Sequence, residues 1–102
     1  MDIDVKALKS KMDGGDDFVL IDVREPGEHQ GFNIGGQLIP LGVFAQYIPK
    51  MDALKDEEII VYCRSGMRSA TAQYMLLQAG FKNVRNLTGG VLAWQEAFGS
   101  GM

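Results

Sequence analysis

The chain is short of cysteine, histidine and proline, with one, one and three of them among 102 residues. A single cysteine excludes an intrachain disulfide framework and suits a reducing compartment, so a cytoplasmic protein is expected. With His29 the only histidine and Cys63 the only cysteine, no Cys/His cluster offers a metal site. No GxxxxGK[ST] run is present to cradle a nucleotide, and no cofactor is expected. Long apolar runs are missing too: none spans a bilayer, and residues 1–12 lack the apolar core of a signal peptide. Basic clusters are absent, which argues against nucleic acid as a partner. The length fits one domain with one core, placed at residues 1–98, with 99–102 as a frayed tail.

Acidic residues are unevenly scarce. Residues 1–58 carry twelve acids and six bases, a net of −6, whereas residues 59–95 carry no Asp or Glu. Arg64, Arg68, Lys82 and Arg85 make that second stretch net +4, and Cys63 lies inside it. A positive region around a thiol draws small anions and raises the thiolate fraction.

Apolar periodicity alternates between strand and helix. Val5, Leu8 and Met12 recur at helical spacing, with Asp4 as N-cap, Gly14-Gly15 as the stop, and Ile3 in a short strand before them. Phe18 to Ile21 is a compact apolar run, as in a strand buried on both faces. Leu38-Ile39 reads as a second strand and Leu41 to Ile48 as a helix stopped by Pro49, with a further turn over Met51 to Leu54. Ile59 to Tyr62 is the most strand-like run of all. After it, Ala72, Met75, Leu76 and Ala79 share one helix face that ends at Gly80. Val84 to Leu87 reads as the last strand, and Val91 to Phe98 as a closing helix whose Val91, Trp94 and Phe98 face the core. Strands alternating with helices imply an α/β fold with a parallel sheet and helices on both faces. Ligands of such sheets gather at the carboxyl ends of the strands. Asp22-Val23-Arg24-Glu25 and the segment after Tyr62 both fall there.

Cys63 opens the run Cys63-Arg64-Ser65-Gly66-Met67-Arg68-Ser69, between a buried strand and a helix-like run from Ser69 to Ala79. A lone cysteine in other settings is a small buried hydrophobe. Here two arginines flank it, and the unpaired N–H groups of a helix start carry partial positive charge. Backbone N–H groups along such a loop converge on an anion. The pattern predicts a nucleophilic cysteine that works on anionic substrates, with Gly66 supplying the unusual backbone angles of a tight cradle. Met67 offers a small apolar contact at its mouth.

Four segments in order resemble the rhodanese homology domain. They are Leu20-Ile21-Asp22-Val23-Arg24-Glu25, the Gly31…Gly35…Ile39-Pro40-Leu41 stretch, Val61 to Ser69, and Leu87-Thr88-Gly89-Gly90-Val91-Leu92-Ala93-Trp94. The resemblance implies a three-layer fold around a central five-stranded parallel sheet, and a sulfurtransferase whose cysteine carries sulfur as a persulfide. It places the nucleophile on Cys63 and the substrate-binding loop on Arg64, Ser65, Gly66, Met67 and Arg68. The donor would be thiosulfate or a related anion, and the acceptor cyanide, a thiol or a protein. Arg64 and Arg68 would orient sulfonate oxygens, Arg68 also bracing the loop. Many members carry His-Ile-Pro-Gly where this chain reads Phe32-Asn33-Ile34-Gly35. The Asn33 to Leu41 variant is similar to rhodanese modules fused to ubiquitin-activating-like enzymes, which makes a protein-to-protein sulfur relay in cofactor or thiolation pathways the alternative.

Cysteine-based phosphatases need Cys-x5-Arg to surround a phosphate, whereas four residues separate Cys63 from Arg68 here. An arsenate reductase wants a second, resolving cysteine that this chain lacks. A non-catalytic binding module would have no use for the nucleophile. Asp22 and Arg24 are expected to support the loop, Asp22 as a buried carboxylate holding N–H groups or an arginine, and Ser69 to assist Cys63. Glu25 reads as a helix cap and His29 as a surface residue.

Overall fold

A computed structural model describes residues 2–100. Its elements alternate along the chain: α1 (Val5–Asp13), β1 (Val19–Asp22), α2 (Pro26–Gly31), β2 (Gln37–Leu38), α3 (Leu41–Tyr47), a 3-10 helix (Ile48–Leu54), β3 (Glu58–Tyr62), α4 (Met67–Gln78), β4 (Asn83–Asn86) and α5 (Gly90–Phe98). The strands form one parallel sheet in the order β2-β1-β3-β4. Asp22 pairs with Tyr62, and Val61 with Asn86, so the strands run out together at one edge.

The core has two halves, one on each face of the sheet. Successive side chains of β3 point to opposite faces: Ile59 and Val61 join Phe44, Met51, Ala72 and Leu76 under α3 and α4. Ile60 and Tyr62 join Val5, Leu8, Val91 and Trp94 under α1 and α5. Cys63 keeps the parity of Ile59 and Val61 and packs on the α4 side. Trp94 is buried as expected; Phe98 is exposed and meets it edge-on, with ring centroids 4.8 Å apart.

The sheet has four strands among the described residues rather than the expected five. Ile3 makes one parallel bridge to Leu87 beside β4, giving its N–H to Asn86 O at 3.0 Å and accepting from Thr88 N at 2.9 Å. Pairing stops there because the next residue already caps α1: Asp4 Oδ1 accepts from Ala7 N at 2.8 Å. Pro49 does not end the helical stretch. It sits in the first turn of the 3-10 helix, where a missing N–H costs nothing. Of the tail, Gly99 N–H bonds Gln95 O and Ser100 Oγ accepts from Gln95; Gly101 and Met102 lie outside the described residues. Among the described residues no helix is long and apolar enough to cross a membrane.

Candidate active site

Cys63 lies at the sheet's carboxyl edge and is 1 % exposed. Two backbone devices shape the loop that follows it. The first is Gly66, whose φ of +106° lets the chain reverse into α4. The second is the start of α5, where Val91 N donates to Cys63 O at 2.9 Å and Leu92 N to Arg64 O at 3.0 Å. These two bonds draw the loop carbonyls toward α5. A trans peptide holds its N–H opposite its C=O, so the N–H groups of Arg64 and Ser65 face the other way.

The Ser65 N–H is thereby turned to the sulfur's side. Gly66 N donates to Cys63 Sγ at 3.1 Å, Ser69 N at 3.4 Å and Ser69 Oγ at 3.3 Å. Burial pushes the thiol up, but the Ser69 hydroxyl, then the N–H groups of Ser69, Gly66 and Ser65, outweigh it and hold the thiol below its ordinary value. The loop's own donors thus supply the largest help to the thiolate, where the sequence pointed to N–H groups and arginines together.

Arg68 is turned away from open solution by a carboxylate. Its Nη1 and Nη2 each lie 2.8 Å from an oxygen of Glu28 on α2, a bidentate clamp between α4 and α2. The Arg68 guanidinium holds the Glu28 carboxyl down at about 2. A carboxyl depressed by folding contributes above its unfolded value and fades only as pH falls toward the folded one, so the clamp stays charged across neutral pH. Lys82 pairs with Asp56 at 3.7 Å and Arg85 with Glu58 at 2.8 Å. Three of the four cations in residues 59–95 are therefore matched by carboxylates from the first half. Arg64 is exposed and makes no ion pair among the described residues. The positive region read from the sequence reduces at the loop to this guanidinium and the N–H donors.

Asp22 and Arg24 form a buried pair beside the loop, 0 % and 4 % exposed. Asp22 accepts from Arg24 N at 3.0 Å, Arg24 Nε at 2.9 Å and Arg24 Nη2 at 2.8 Å, and Arg24 Nη2 also reaches Phe32 O at 2.6 Å. The structure departs from the sequence reading at His29. It is half-buried rather than fully exposed: its Nδ1 lies 2.8 Å from Asp22 Oδ2. The short helix was hidden in sequence behind its proline and glycines, although Glu25 is its N-cap as expected. Glu25 N donates to Glu28 Oε1 at 2.9 Å. Asp22 thus anchors both ends of α2, and α2 presents Glu28 to Arg68.

Ser65 and Met67 are exposed at the rim, Met67 by 79 %. Two residues near the sulfur went unnoticed in sequence. One is Glu28. The other is Asn86, whose Nδ2 donates to Gly66 O at 3.0 Å and whose Oδ1 takes the Ser69 hydroxyl. The only sequence signal for Asn86 is an asparagine late in the last strand, before Leu87. Among the described residues no cluster of His, Cys, Asp and Glu could hold a metal ion.

The chain resembles known proteins along most of its length. It is 41% identical over 98 residues to a putative sulfurtransferase, YtwF, of Bacillus subtilis, covering 92% of this chain and 89% of that one. It is 35% identical over 94 residues to a sulfurtransferase of Allochromatium vinosum, covering 91% and 86%. Among solved structures, a rhodanese-like domain protein from Staphylococcus aureus superposes with a TM-score of 0.82 at 27% identity, covering 92% and 91%. The rhodanese-like domain family matches residues 4–97, and the chain belongs to that family.

Proposed function

We propose that this protein is a rhodanese-type sulfurtransferase in which Cys63 takes a sulfane sulfur from thiosulfate or a related anion. The observation that carries this reading is the ring of donors on Cys63 Sγ, from Gly66 N, Ser69 N and Ser69 Oγ. These groups favour a thiolate in a buried place where an unassisted thiol would stay protonated. The activity named for the two bacterial relatives supports the same reading.

The thiolate attacks the outer sulfur of thiosulfate. A bond forms between Sγ and that sulfur, and the S–S bond of thiosulfate breaks with its electron pair leaving on sulfite. The product is a Cys63 persulfide anion; total charge is unchanged, and no proton or oxidant is consumed. The loop N–H groups that held the thiolate are at hand for the charge as it moves outward. Arg64, which has no ion pair among the described residues, meets the donor's sulfonate oxygens. Arg68, clamped by Glu28, braces the loop, while Ser65 and Met67 line its mouth. Asp22, Arg24 and Ser69 support the arrangement. In the second step an external nucleophile takes the terminal sulfur and restores the thiolate; with cyanide the product is thiocyanate. The chain has no second cysteine to resolve the persulfide, so discharge is to an external acceptor, which includes a protein thiol.

Ping-pong kinetics follow from this scheme. Turnover with varied thiosulfate and cyanide should give parallel double-reciprocal lines, and intersecting lines would contradict a persulfide intermediate. Gly66→Val supplies a second check. A Cβ at Gly66 would have its nearest neighbours, Gly89 N and Leu87 O, at 3.5 Å, which is ordinary contact, so the fold has room for it. The φ of +106° is what valine resists. The expected result is a folded protein whose kcat/KM for thiosulfate falls about a hundredfold. Undiminished turnover would contradict the cradle.

A further inference from the structure

Asn86 reaches both sides of the sulfur's cradle. It closes β4, is 6 % exposed, and pairs with Val61 across the sheet. Its backbone is fixed by neighbours, with Asn86 N donating to Asp2 Oδ1 at 3.2 Å and Asn86 O accepting from Ile3 N at 3.0 Å. Its side chain is thereby aimed under the loop. Nδ2 donates to Gly66 O at 3.0 Å, and Oδ1 lies within hydrogen-bond distance of Ser69 Oγ. The amide's orientation follows from its partners, because only an N–H can satisfy the Gly66 carbonyl. Gly66 and Ser69 are the same two residues that bond Cys63 Sγ at 3.1 to 3.4 Å.

We propose that Asn86 is a positioning residue for the Cys63 nucleophile: its Nδ2 fixes the Gly66 peptide of the cradle, and its Oδ1 competes with the sulfur for the single hydroxyl proton of Ser69. This rests on the reading of Cys63 as the sulfur carrier.

The first arm is geometric. Holding the Gly66 carbonyl toward Asn86 turns the Met67 N–H to the opposite side of the same peptide plane. Gly66 O also accepts from Ala70 N at 3.1 Å, so Asn86 is the second of two anchors that set this donor before any anion arrives.

The second arm concerns one proton. Ser69 Oγ has a single O–H and two acceptors in reach, Cys63 Sγ at 3.3 Å and Asn86 Oδ1. In the thiol state the S–H donates to Ser69 Oγ, and the Ser69 proton goes to Asn86. In the thiolate state the hydroxyl must turn to the sulfur, which leaves Asn86 Oδ1 without that donor. Asn86 therefore opposes the thiolate by one hydrogen bond. When sulfur is loaded, charge passes to the outer atom and the hydroxyl returns to Asn86. The competition favours moving charge off Sγ, which is the direction of sulfur uptake.

The charged and titratable groups about the loop are Arg64, Arg68 on α4 paired with Glu28 on α2, the Asp22–Arg24 pair with His29, and Asp2, which accepts from Asn86 N. Substitution of the Asn86 side chain removes none of these pairs.

The test is a titration of thiolate ultraviolet absorbance, with the Cys63→Ser protein as baseline; one cysteine makes the signal unambiguous. Asn86→Leu removes the competitor, and the thiolate-to-thiol ratio at a fixed pH should rise about fivefold. The rise should vanish when Ser69→Ala is already present. In parallel, the KM for thiosulfate should increase severalfold, because the Gly66 carbonyl is then held by Ala70 N alone. A merely structural asparagine would alter the titration equally with or without the Ser69 hydroxyl. An unmoved titration, or an identical shift in the Ser69→Ala background, overturns the proposal. Should Asn86→Leu fail to fold, Asn86→Asp keeps the acceptor and strengthens it; the ratio should then fall further than it does in the Ser69→Ala background, and an equal fall, or a constant or rising ratio, overturns the proposal. A wild type that takes up no sulfur while Asn86→Leu shifts the titration would sink the sulfurtransferase reading alone. Normal sulfur uptake with an unmoved titration would sink the role of Asn86 alone.

Discussion

Gly90→Ala should cost about 2–5 kcal/mol of stability and remove sulfur uptake from whatever remains folded. A Cβ on Gly90 would overlap Cys63 O and lie 2.6 Å from Arg64 O and 2.7 Å from Arg64 C. These are backbone atoms of the cradle itself, so no side-chain rotation relieves the contact. Gly90 also has φ +56°, a left-handed conformation that costs alanine about 1–2 kcal/mol before any overlap is counted. The two carbonyls crowded by the new methyl are the ones held by Val91 N and Leu92 N. Relief would require the start of α5 to withdraw, and the loop would lose the two bonds that seat its Cys63 and Arg64 carbonyls. Guanidinium unfolding reads the stability, and an unchanged midpoint would contradict this account of the loop's seat. Against a total of about 5–15 kcal/mol for a typical domain, the loss is large.

Asp22→Ala is expected to be as damaging by a different route. Removing one partner of a buried ion pair strands the other charge, at a cost of about 3–5 kcal/mol. Arg24, 4 % exposed, would keep the Phe32 carbonyl and the Tyr62 ring but lose the carboxylate of its ion pair, and His29 would lose the carboxylate 2.8 Å away. Burial pushes the Asp22 carboxyl up, but Arg24 and then His29 outweigh it and hold the carboxyl below its ordinary range. A group depressed in this way stabilises the fold above its unfolded pKa and stops doing so as pH falls through its folded one. The gap between wild type and Asp22→Ala should therefore persist through neutral pH and narrow in acid. Activity should decline in step with folded protein. If Asp22→Asn slowed turnover with no loss of stability, a direct part in the chemistry would replace the supporting one.

What the sequence revealed was whatever it holds in one continuous stretch. The strand Ile59 to Tyr62, the turn at Gly66 and the helix after it lie side by side, so the setting of Cys63 could be read before any coordinates. The buried Asp22–Arg24 pair was legible for the same reason, since only Val23 intervenes. The groups that act on the loop from elsewhere were not. Glu28 reaches Arg68 across 40 positions, and Asn86 reaches Gly66 across 20. Neither has a local pattern to give it away. The positive half of the chain was a true count with a different outcome, because folding sets Glu28 and Glu58 against Arg68 and Arg85. His29 read as exposed because Pro26 and Gly27 resemble a turn, and Pro26 instead starts α2. The missing fifth strand has an equally local cause: one residue separates the bridge at Ile3 from the helix that begins at Val5, and that residue is the cap.

The most direct test of the central claim is the intact mass of the protein after incubation with thiosulfate, compared with Cys63→Ser and followed by cyanide. The account predicts a gain of one sulfur atom on the wild type alone, reversed by cyanide with release of thiocyanate. No gain on the wild type, or an equal gain on Cys63→Ser, would contradict Cys63 as a carrier of sulfur from thiosulfate.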